Sequence, residues 1–351
     1  YKHLVAIQVD FRFLKQTFEF QKAKINLYCN QVFVTDAVEQ IVPEFLTLLQ
    51  GVIDSPDIPL NVSRSYLQGD PNVKKITAHI VKKVADKLSE IFKNDRAGFE
   101  EKWESLSVFV KYGVISDEKF AERAKEFALV ENTDKKYFTI EEYKEKIKAN
   151  QTDKNDSLVA LYTNHADAQY SYIAQAHDKG YDVLVMDSTI DNHYMQHLEY
   201  KGEKMVFKRV DADTMDKLIE KDTSSESVLN KEEEEQLKKY FQEVVTTPTA
   251  TVELKALSPT DFPVLITKNE FMRRMQEMTR LSGGGNKMMD MDYFNLVVNT
   301  NHPLTAKLLK ADESIRAEQI KHLYSLAMLS QGMLKGKELA DFVKHSFGQL
   351  N

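Results

Sequence analysis

The residues best suited to chemistry lie in the stretch 60–68, where Arg64 stands among apolar neighbours between two predicted helices. Its guanidinium carries five donors in a planar fork and stays charged at any relevant pH. Gln68 follows four residues later, so one helical turn would point both side chains the same way. The pattern is typical of an arginine that reaches out to an anion. A structural ion pair with a carboxylate also fits the spacing and is the commoner arrangement.

Two other patterns could bind ligands. His193 and His197 are four residues apart on a predicted helix with Asp191 nearby; this spacing can hold zinc, but a third strong ligand is lacking, so we predict no metal site. Residues 282–287, Ser-Gly-Gly-Gly-Asn-Lys, lack the Gly-Lys-Ser/Thr ending of a phosphate loop and follow a predicted helix, which favours a flexible loop. Cys29 has no implied base, so we predict no active site that works alone.

The composition limits the class of protein that positions these residues. Of 351 residues, 42% are hydrophobic and 29% are charged, as in a soluble globular chain of two or three domains. The net charge of -7 gives no reason to expect a nucleic-acid partner. No apolar run approaches a length of about 18 residues, which a membrane-spanning helix requires. Cys29 is the single cysteine, so no intrachain disulfide is possible and a cytoplasmic location is the simpler inference.

The first half of the chain mixes strands and helices. Apolar and polar residues alternate over 25–30, which predicts a strand with one buried face. Residues 37–50 carry an apolar helical stripe that ends at Gly51, a typical C-terminal cap. Asp70 and Pro71 predict the start of a long helix. Thr139 and Glu142 have the spacing of a capping box before another helix.

The second half predicts a small α/β subdomain followed by a mixed domain. Strands at 158–162 and 183–186 enclose a helix that ends near Gly180, which is a βαβ unit. A helix near Asp191 and a strand at 205–207 follow. The polar run around 220–230 is the one break in composition, so we place a domain boundary there. Beyond it we predict a helix at 231–244 and strands at 250–254, 264–266 and 293–298.

Two apolar helical stripes end the chain. The first, from 312 to about 331, consists of Ile315, Ile320, Leu323, Tyr324, Ala327 and Met328. The second follows Gly336 and consists of Leu339, Phe342, Val343 and Phe347. Such a helix pair can pack against its own copy about a two-fold axis, so we predict a homodimer joined by a four-helix bundle. The alternative is a monomer whose final helices fold back onto residues 231–300.

Three stretches carry a family resemblance: LYCNQVFVTD at 27–36, GVIDS at 51–55 and LNVSR at 60–64. Together they resemble the middle domain of the ninety-kilodalton heat-shock chaperone family in its bacterial form. The similarity covers nearly the whole chain from about residue 25 to 347 and is strongest over 27–92. No stretch resembles that family's N-terminal ATP-binding domain, so we expect a piece made of the middle and C-terminal domains.

The resemblance implies an α/β fold with a middle domain at 1–222 and a C-terminal dimerisation domain at 223–351. The middle domain would divide into a large α/β part (1–98) that carries the arginine loop, a helical connector (99–150) and a small α/β subdomain (151–222). In such a chaperone ATP, with Mg, binds the N-terminal domain and a middle-domain arginine reaches its γ-phosphate. Arg64 matches that arginine, with Gln68 and Phe33 at supporting positions, whereas Ser65 stands where the family usually has glutamate.

The resemblance also implies client proteins as partners. A methionine-rich helix at 269–281 suits weak contact with many apolar chains, although core packing is an equally good interpretation. Phe271, Met275 and Met278 match the apolar positions of a family helix associated with client contact. We expect a second client surface at Tyr194, Met195 and Leu198.

A dimeric scaffold is the alternative function. Its small α/β subdomain would bind a small ligand where the strand order reverses.

Overall fold

A computed structural model describes residues 4–9, 24–36, 41–46, 49–56, 71–201, 204–221, 226–268, 273–274 and 293–348. The described residues form eleven α-helices and twelve strands, which confirms the predicted mixed α/β class. The chain divides into two compact units. The first contains Tyr1–Glu131, Lys135–Lys144 and Ser188–Tyr200, and the second contains Asn132–Asp134, Glu145–Asp187 and Lys201–Asn351.

A four-stranded sheet opens the first unit. It consists of β1 (Leu4–Val9), β2 (Lys24–Cys29), β3 (Val32–Thr35) and β4 (Leu49–Asp54), in the spatial order β1-β4-β2-β3. Strands β2 and β3 form an antiparallel hairpin whose two-residue turn, Asn30 and Gln31, has positive φ at both positions. This is the turn that matches the twist of paired strands. Cys29 ends β2 with its side chain only 5% exposed.

The helix predicted for residues 37–50 is wrong at its C-terminal end. Glu44–Leu46 forms a short 3₁₀-helix, and residues 49 and 50 already belong to β4. Gly51 lies in the sheet, opposite Ile7 on one side and Ile25 on the other, and caps no helix. Pairing with strands on both sides outweighs the local helical pattern, and Pro43 lacks the amide that a helix interior needs. Residues 37–40 and 47–48 lie outside the described residues.

The rest of the first unit is mainly helical. Its helices are α1 (Pro71–Asn94), α2 (Arg96–Ser116), α3 (Glu118–Ala124), the N-terminal part of α4 (Ile140–Ile147) and α6 (Asp191–Tyr200). An antiparallel pair, β5 (Leu129–Asn132) and β6 (Tyr137–Thr139), precedes α4. Helix α1 begins at the predicted proline. It buries Val73 and Ile80 of the predicted apolar face and leaves the lysines of the other face exposed.

The capping box predicted before α4 is confirmed. The Glu142 carboxylate accepts a hydrogen bond from the Thr139 amide at 2.8 Å, and the Thr139 hydroxyl accepts from the Glu142 amide at 3.3 Å. Arg96, at the start of α2, donates to both carboxylate oxygens of Glu142 and holds the pKa of that carboxyl below its usual value. One acidic side chain therefore caps α4 and ties it to α2.

The second unit begins with the predicted βαβ unit. Strand β7 (Leu158–Thr163) lies between β8 (Val183–Val185) and β9 (Met205–Arg209) and runs parallel to both. Helix α5 (Tyr170–Asp178) connects β7 to β8, and Gly180 follows it with a φ of 74°. That left-handed conformation is the one that glycine adopts without strain. The pattern of the sequence therefore predicts this unit correctly.

A second sheet and four longer helices complete this unit. After the short α7 (Met215–Leu218) come α8 (Lys231–Val244), β10 (Ala250–Lys255), β11 (Val264–Thr267), β12 (Phe294–Asn299), α9 (Pro303–Lys310), α10 (Glu313–Ser330) and α11 (Gly336–Gly348). The sheet order is β10-β12-β11, with β10 parallel and β11 antiparallel to β12. Helix α9 is an element that the sequence pattern did not predict.

Two apolar cores hold the second unit together. One contains residues of β7, α5 and β8 together with Leu257, Leu265 and Val297. The other lies between α8, the second sheet and α10, with Phe241 and Leu296 fully buried. The first core has members on both sides of residue 222. The domain boundary that we place there stays a prediction.

Candidate functional site

The structure places one of the three residues predicted to complete an ATP site. Phe33 lies on β3 with its side chain 55% exposed, and its ring meets the ring of Tyr28 edge-on at 5.7 Å between centroids. Arg64 and Gln68 lie outside the described residues. A phenylalanine ring offers packing surface and no ligand for phosphate, so the described part of this site does not by itself fit a nucleotide. The role of the arginine loop stays a prediction.

The predicted methionine-rich client surface is also largely undescribed. Phe271, Met275 and Met278 lie outside the described residues. Between them Arg273 is buried, and it donates a hydrogen bond to the hydroxyl of Tyr162 at the end of β7. Arg274 donates to the Phe207 carbonyl in β9 at 2.8 Å. These two arginines therefore fix one point of that stretch against the parallel strands.

The second predicted client surface is wrong for two of its three residues. Tyr194 and Met195 have side chains only 1% and 0% exposed, because α6 packs that face against α2. Leu198, one turn further on, is half-buried. An apolar stripe on a helix marks a face that needs cover, and here the first unit supplies the cover itself.

A buried ion pair lies inside the α2–α6 contact. The Lys111 ammonium is 2.5 Å from the Asp191 carboxylate, and the two side chains are 8% and 2% exposed. The second oxygen of Asp191 accepts from the Ser188 amide at 3.1 Å, and the Lys111 ammonium lies 5.7 Å from the ring centre of Tyr194. Sequence reasoning missed this pair, because Lys111 and Asp191 are 80 residues apart and only the fold brings them together.

The two histidines that could bind zinc lie on the same helix, α6. His193 is exposed and His197 half-buried. Among the residues that the structure describes, no group of three or more His, Cys, Asp or Glu side chains could hold a metal ion. In the same residues no helix is long and apolar enough to cross a membrane.

The residues predicted for the dimer interface divide into two groups. Ile320 and Ala327 of α10 are buried in the core beneath the second sheet, so their assignment to an interface between copies is wrong. Four more are half-buried against that core, namely Leu323, Tyr324, Leu339 and Phe342. The Tyr324 hydroxyl is 2.9 Å from that of Thr247, and burial raises the pKa of Tyr324. Three residues of the predicted stripes are exposed, namely Ile315, Val343 and Phe347.

The exposed apolar residues of the last two helices combine part of the predicted stripes with two further leucines. Ile315, Leu326 and Leu329 lie on one side of α10, since 11 and 14 residues are close to three and four helical turns. On α11 Val343 and Phe347 are exposed, the latter at 67%. We call these five residues the terminal apolar face. Leu326 and Leu329 were missed because α10 has apolar residues on both sides, so its pattern has no single stripe.

The strand ends of the small α/β part are filled by the protein's own side chains. Arg209 donates to both oxygens of the Asp211 carboxylate at 2.5 and 2.9 Å. Gln169 donates to the same carboxylate at 3.1 Å and accepts from the Thr163 hydroxyl at 2.5 Å. All four side chains are buried. Strands β7 and β9 end where the strand order reverses, which is where the scaffold hypothesis predicts a small ligand. The scaffold hypothesis stays a prediction.

Known proteins resemble this chain over most of its length. The family model described as Hsp90 protein matches residues 5–348. Chaperone protein HtpG of Bacteroides thetaiotaomicron is 49% identical over 316 residues, which is 89% of this chain and 46% of that protein. The protein of the same name from Porphyromonas gingivalis is 49% identical over 304 residues, 86% of this chain and 44% of its own length.

A more distant relative, Chaperone protein HtpG of Bdellovibrio bacteriovorus, is 26% identical over 339 residues, 92% of this chain and 51% of its own length. The chain thus spans about half the length of the curated relatives it matches. The family resemblance that residues 27–36, 51–55 and 60–64 indicate is confirmed, and the chain belongs to the Hsp90 chaperone family.

Proposed function

We propose that this chain pairs with a second copy and holds partly folded client proteins as part of an Hsp90-type chaperone. The observation that carries the proposal is the terminal apolar face, which leaves five large apolar side chains exposed on two adjoining helices at the end of the described chain. We infer that these five side chains together form an interaction surface. A helix pair can satisfy it by packing against its own copy about a two-fold axis.

In the proposed dimer α10 plays two roles. Its inner side, with Ile320 and Ala327, belongs to the core of one copy, and its outer side, with Leu326 and Leu329, packs on the partner. An interface of this kind buries at least about 1,200 Å² in total when it is stable. Because the inner side is already covered, breaking the dimer should leave each copy folded.

Leu326→Arg combined with Val343→Arg is expected to convert a dimer into a folded monomer. Two desolvated guanidinium groups per copy without partners would cost the interface far more than the lost apolar contact. Sedimentation at micromolar concentration measures the mass, and circular dichroism checks the fold. Ala317→Arg with Glu338→Arg, two arginines at exposed positions elsewhere on the same helices, should stay dimeric. A mass of 40.5 kDa for the unmutated chain would contradict the proposal.

We also propose that Phe271, Met275 and Met278 contact clients, with Leu198 as a further contact. Methionine and phenylalanine side chains adapt to many apolar partners, which suits a surface that must hold and release unfolded chains.

Phe271→Ser with Met275→Ser is expected to reduce protection of an aggregating substrate about threefold to tenfold, since two apolar anchors of about 1 kcal/mol or more are lost. Light scattering of a thermally unfolding client reports the effect. Phe262→Ser with Val228→Ser removes two exposed apolar side chains elsewhere and should leave protection intact. A fall of more than about 5 °C in the melting temperature of the first variant would show that those side chains are core instead.

The nucleotide function belongs to the same proposal. Arg64, in the sequence between β4 and α1, would reach the phosphate of an ATP held by another part of the full-length chaperone. Gln68 and Phe33 would support it.

A further inference from the structure

Three helices of the second unit meet at one arginine. Arg316 lies in the first turn of α10, beside Ile315 of the terminal apolar face. Its Nε donates to the carbonyl of Leu308 at 2.9 Å, and its Nη2 donates to the carbonyl of Ala311. Leu308 lies in the last turn of α9 and Ala311 immediately follows that helix. The last carbonyls of a helix lack the usual amide donor four residues further on. The Leu308 carbonyl accepts from the Ala311 amide at 3.3 Å, and Arg316 adds a second donor to it.

The flat face of the same guanidinium covers an aromatic ring. The central carbon of the Arg316 guanidinium is 3.8 Å from the ring centre of Tyr240 on α8. The Tyr240 hydroxyl in turn accepts from Gln236 one turn earlier on α8 at 2.5 Å. Arginine combines a fork of donors with a planar face that stacks on aromatic rings, whereas the ammonium of lysine provides neither. One side chain therefore joins α8, α9 and the beginning of α10.

We infer that Arg316 is a positioning residue for self-association, an inference that rests on the proposed dimer. The backbone at Arg316 is the backbone that carries Ile315, and the guanidinium fixes that turn relative to α8 and α9. The first turn of α10, and Ile315 with it, is therefore held in place before the two copies meet. A surface that is already ordered avoids the entropic cost of ordering it on association.

The test measures the dimer dissociation constant of folded protein, which a purely structural residue would not change. Arg316→Lys keeps the charge and loses both the paired donation and the stacking, and we expect the dissociation constant to rise about tenfold or more. The measurement is sedimentation of a dilution series at a temperature well below the melting temperature. Lys310→Gln, which neutralises an exposed charge in the last turn of α9, should leave the constant unchanged.

Two substitutions of Tyr240 test the same inference if Arg316→Lys does not fold. Tyr240→Leu keeps an apolar side chain on α8 but removes the stacking face, and we expect a smaller rise in the same constant. Tyr240→Phe keeps the ring and should associate like the unmutated chain. Normal association of both Arg316→Lys and Tyr240→Leu would overturn this inference and leave the dimer standing. A monomeric unmutated chain would overturn the dimer and this inference together.

Discussion

Replacing Asp191 with alanine is expected to lower the free energy of unfolding by about 3–5 kcal/mol. The change leaves the buried ammonium of Lys111 without its carboxylate, and an ion in a medium of low polarity costs several kcal/mol when its partner is lost. It also removes the acceptor of the Ser188 amide before α6. Urea denaturation monitored by circular dichroism measures the loss, and the melting temperature should fall by several degrees.

Two controls distinguish the cost of leaving a buried charge without its partner from the cost of losing an ion pair as such. Lys111→Met with Asp191→Leu replaces the pair by apolar side chains of similar size, and it should leave stability within about 1 kcal/mol or raise it. Glu126→Gln weakens the exposed pair between Lys93 and Glu126, where both side chains are more than half exposed, and should cost less than about 1 kcal/mol. An Asp191→Ala variant as stable as Glu126→Gln would contradict the prediction.

The second large effect concerns the ATP turnover that we propose for the full-length chaperone. Arg64→Ala is expected to slow hydrolysis by about 10³-fold or more, the size of effect that arginine fingers have in other phosphoryl-transfer enzymes. A guanidinium placed at developing phosphate charge acts mainly on the transition state, so nucleotide affinity should stay nearly the same. Single-turnover hydrolysis and equilibrium nucleotide binding, measured on the same preparation, separate the two quantities.

The matched control is another arginine of the first unit. Arg123 on α3 forms a partly exposed pair with Asp86, and Arg123→Ala should leave turnover unchanged. The 351-residue chain alone is expected to hydrolyse no ATP, because we assign it the arginine and not the nucleotide pocket. Normal turnover by full-length Arg64→Ala would remove Arg64 from the proposed role. Steady turnover by this chain alone would contradict the assignment of the nucleotide pocket to another part of the protein.

Local signals in the sequence predicted the elements that depend on neighbours along the chain. The Thr139–Glu142 capping box, the start of α1 at Pro71 and the glycine after α5 all follow from interactions within a few residues. Leu49 and Gly51 were misassigned because their partners, Val9, Ile7 and Ile25, are distant in sequence. A strand that pairs with neighbours on both sides can therefore have a local sequence pattern that is typical of the end of a helix.

The candidate surfaces show a second limit of sequence reasoning. Periodicity identifies Tyr194, Met195, Ile320 and Ala327 as apolar faces of helices, and in each case the face exists. The pattern does not tell which other element covers a face, and here the cover comes from the same compact unit. Leu326 and Leu329 show the reverse error, because an inner stripe on the same helix masks the outer one.

The buried thiol of the first sheet has a practical consequence for these experiments. Cys29 is the single cysteine of the chain, and its sulfur lies beneath the surface, 3.9 Å from the Pro56 carbonyl. A thiol with so little solvent contact reacts slowly with maleimides, so the native residue need not be removed before labelling. A cysteine introduced at Tyr200, which is largely exposed and lies outside the terminal apolar face, would carry a fluorophore or spin label at one chosen place. The distance between two such labels across a dimer could then be read directly by spectroscopy.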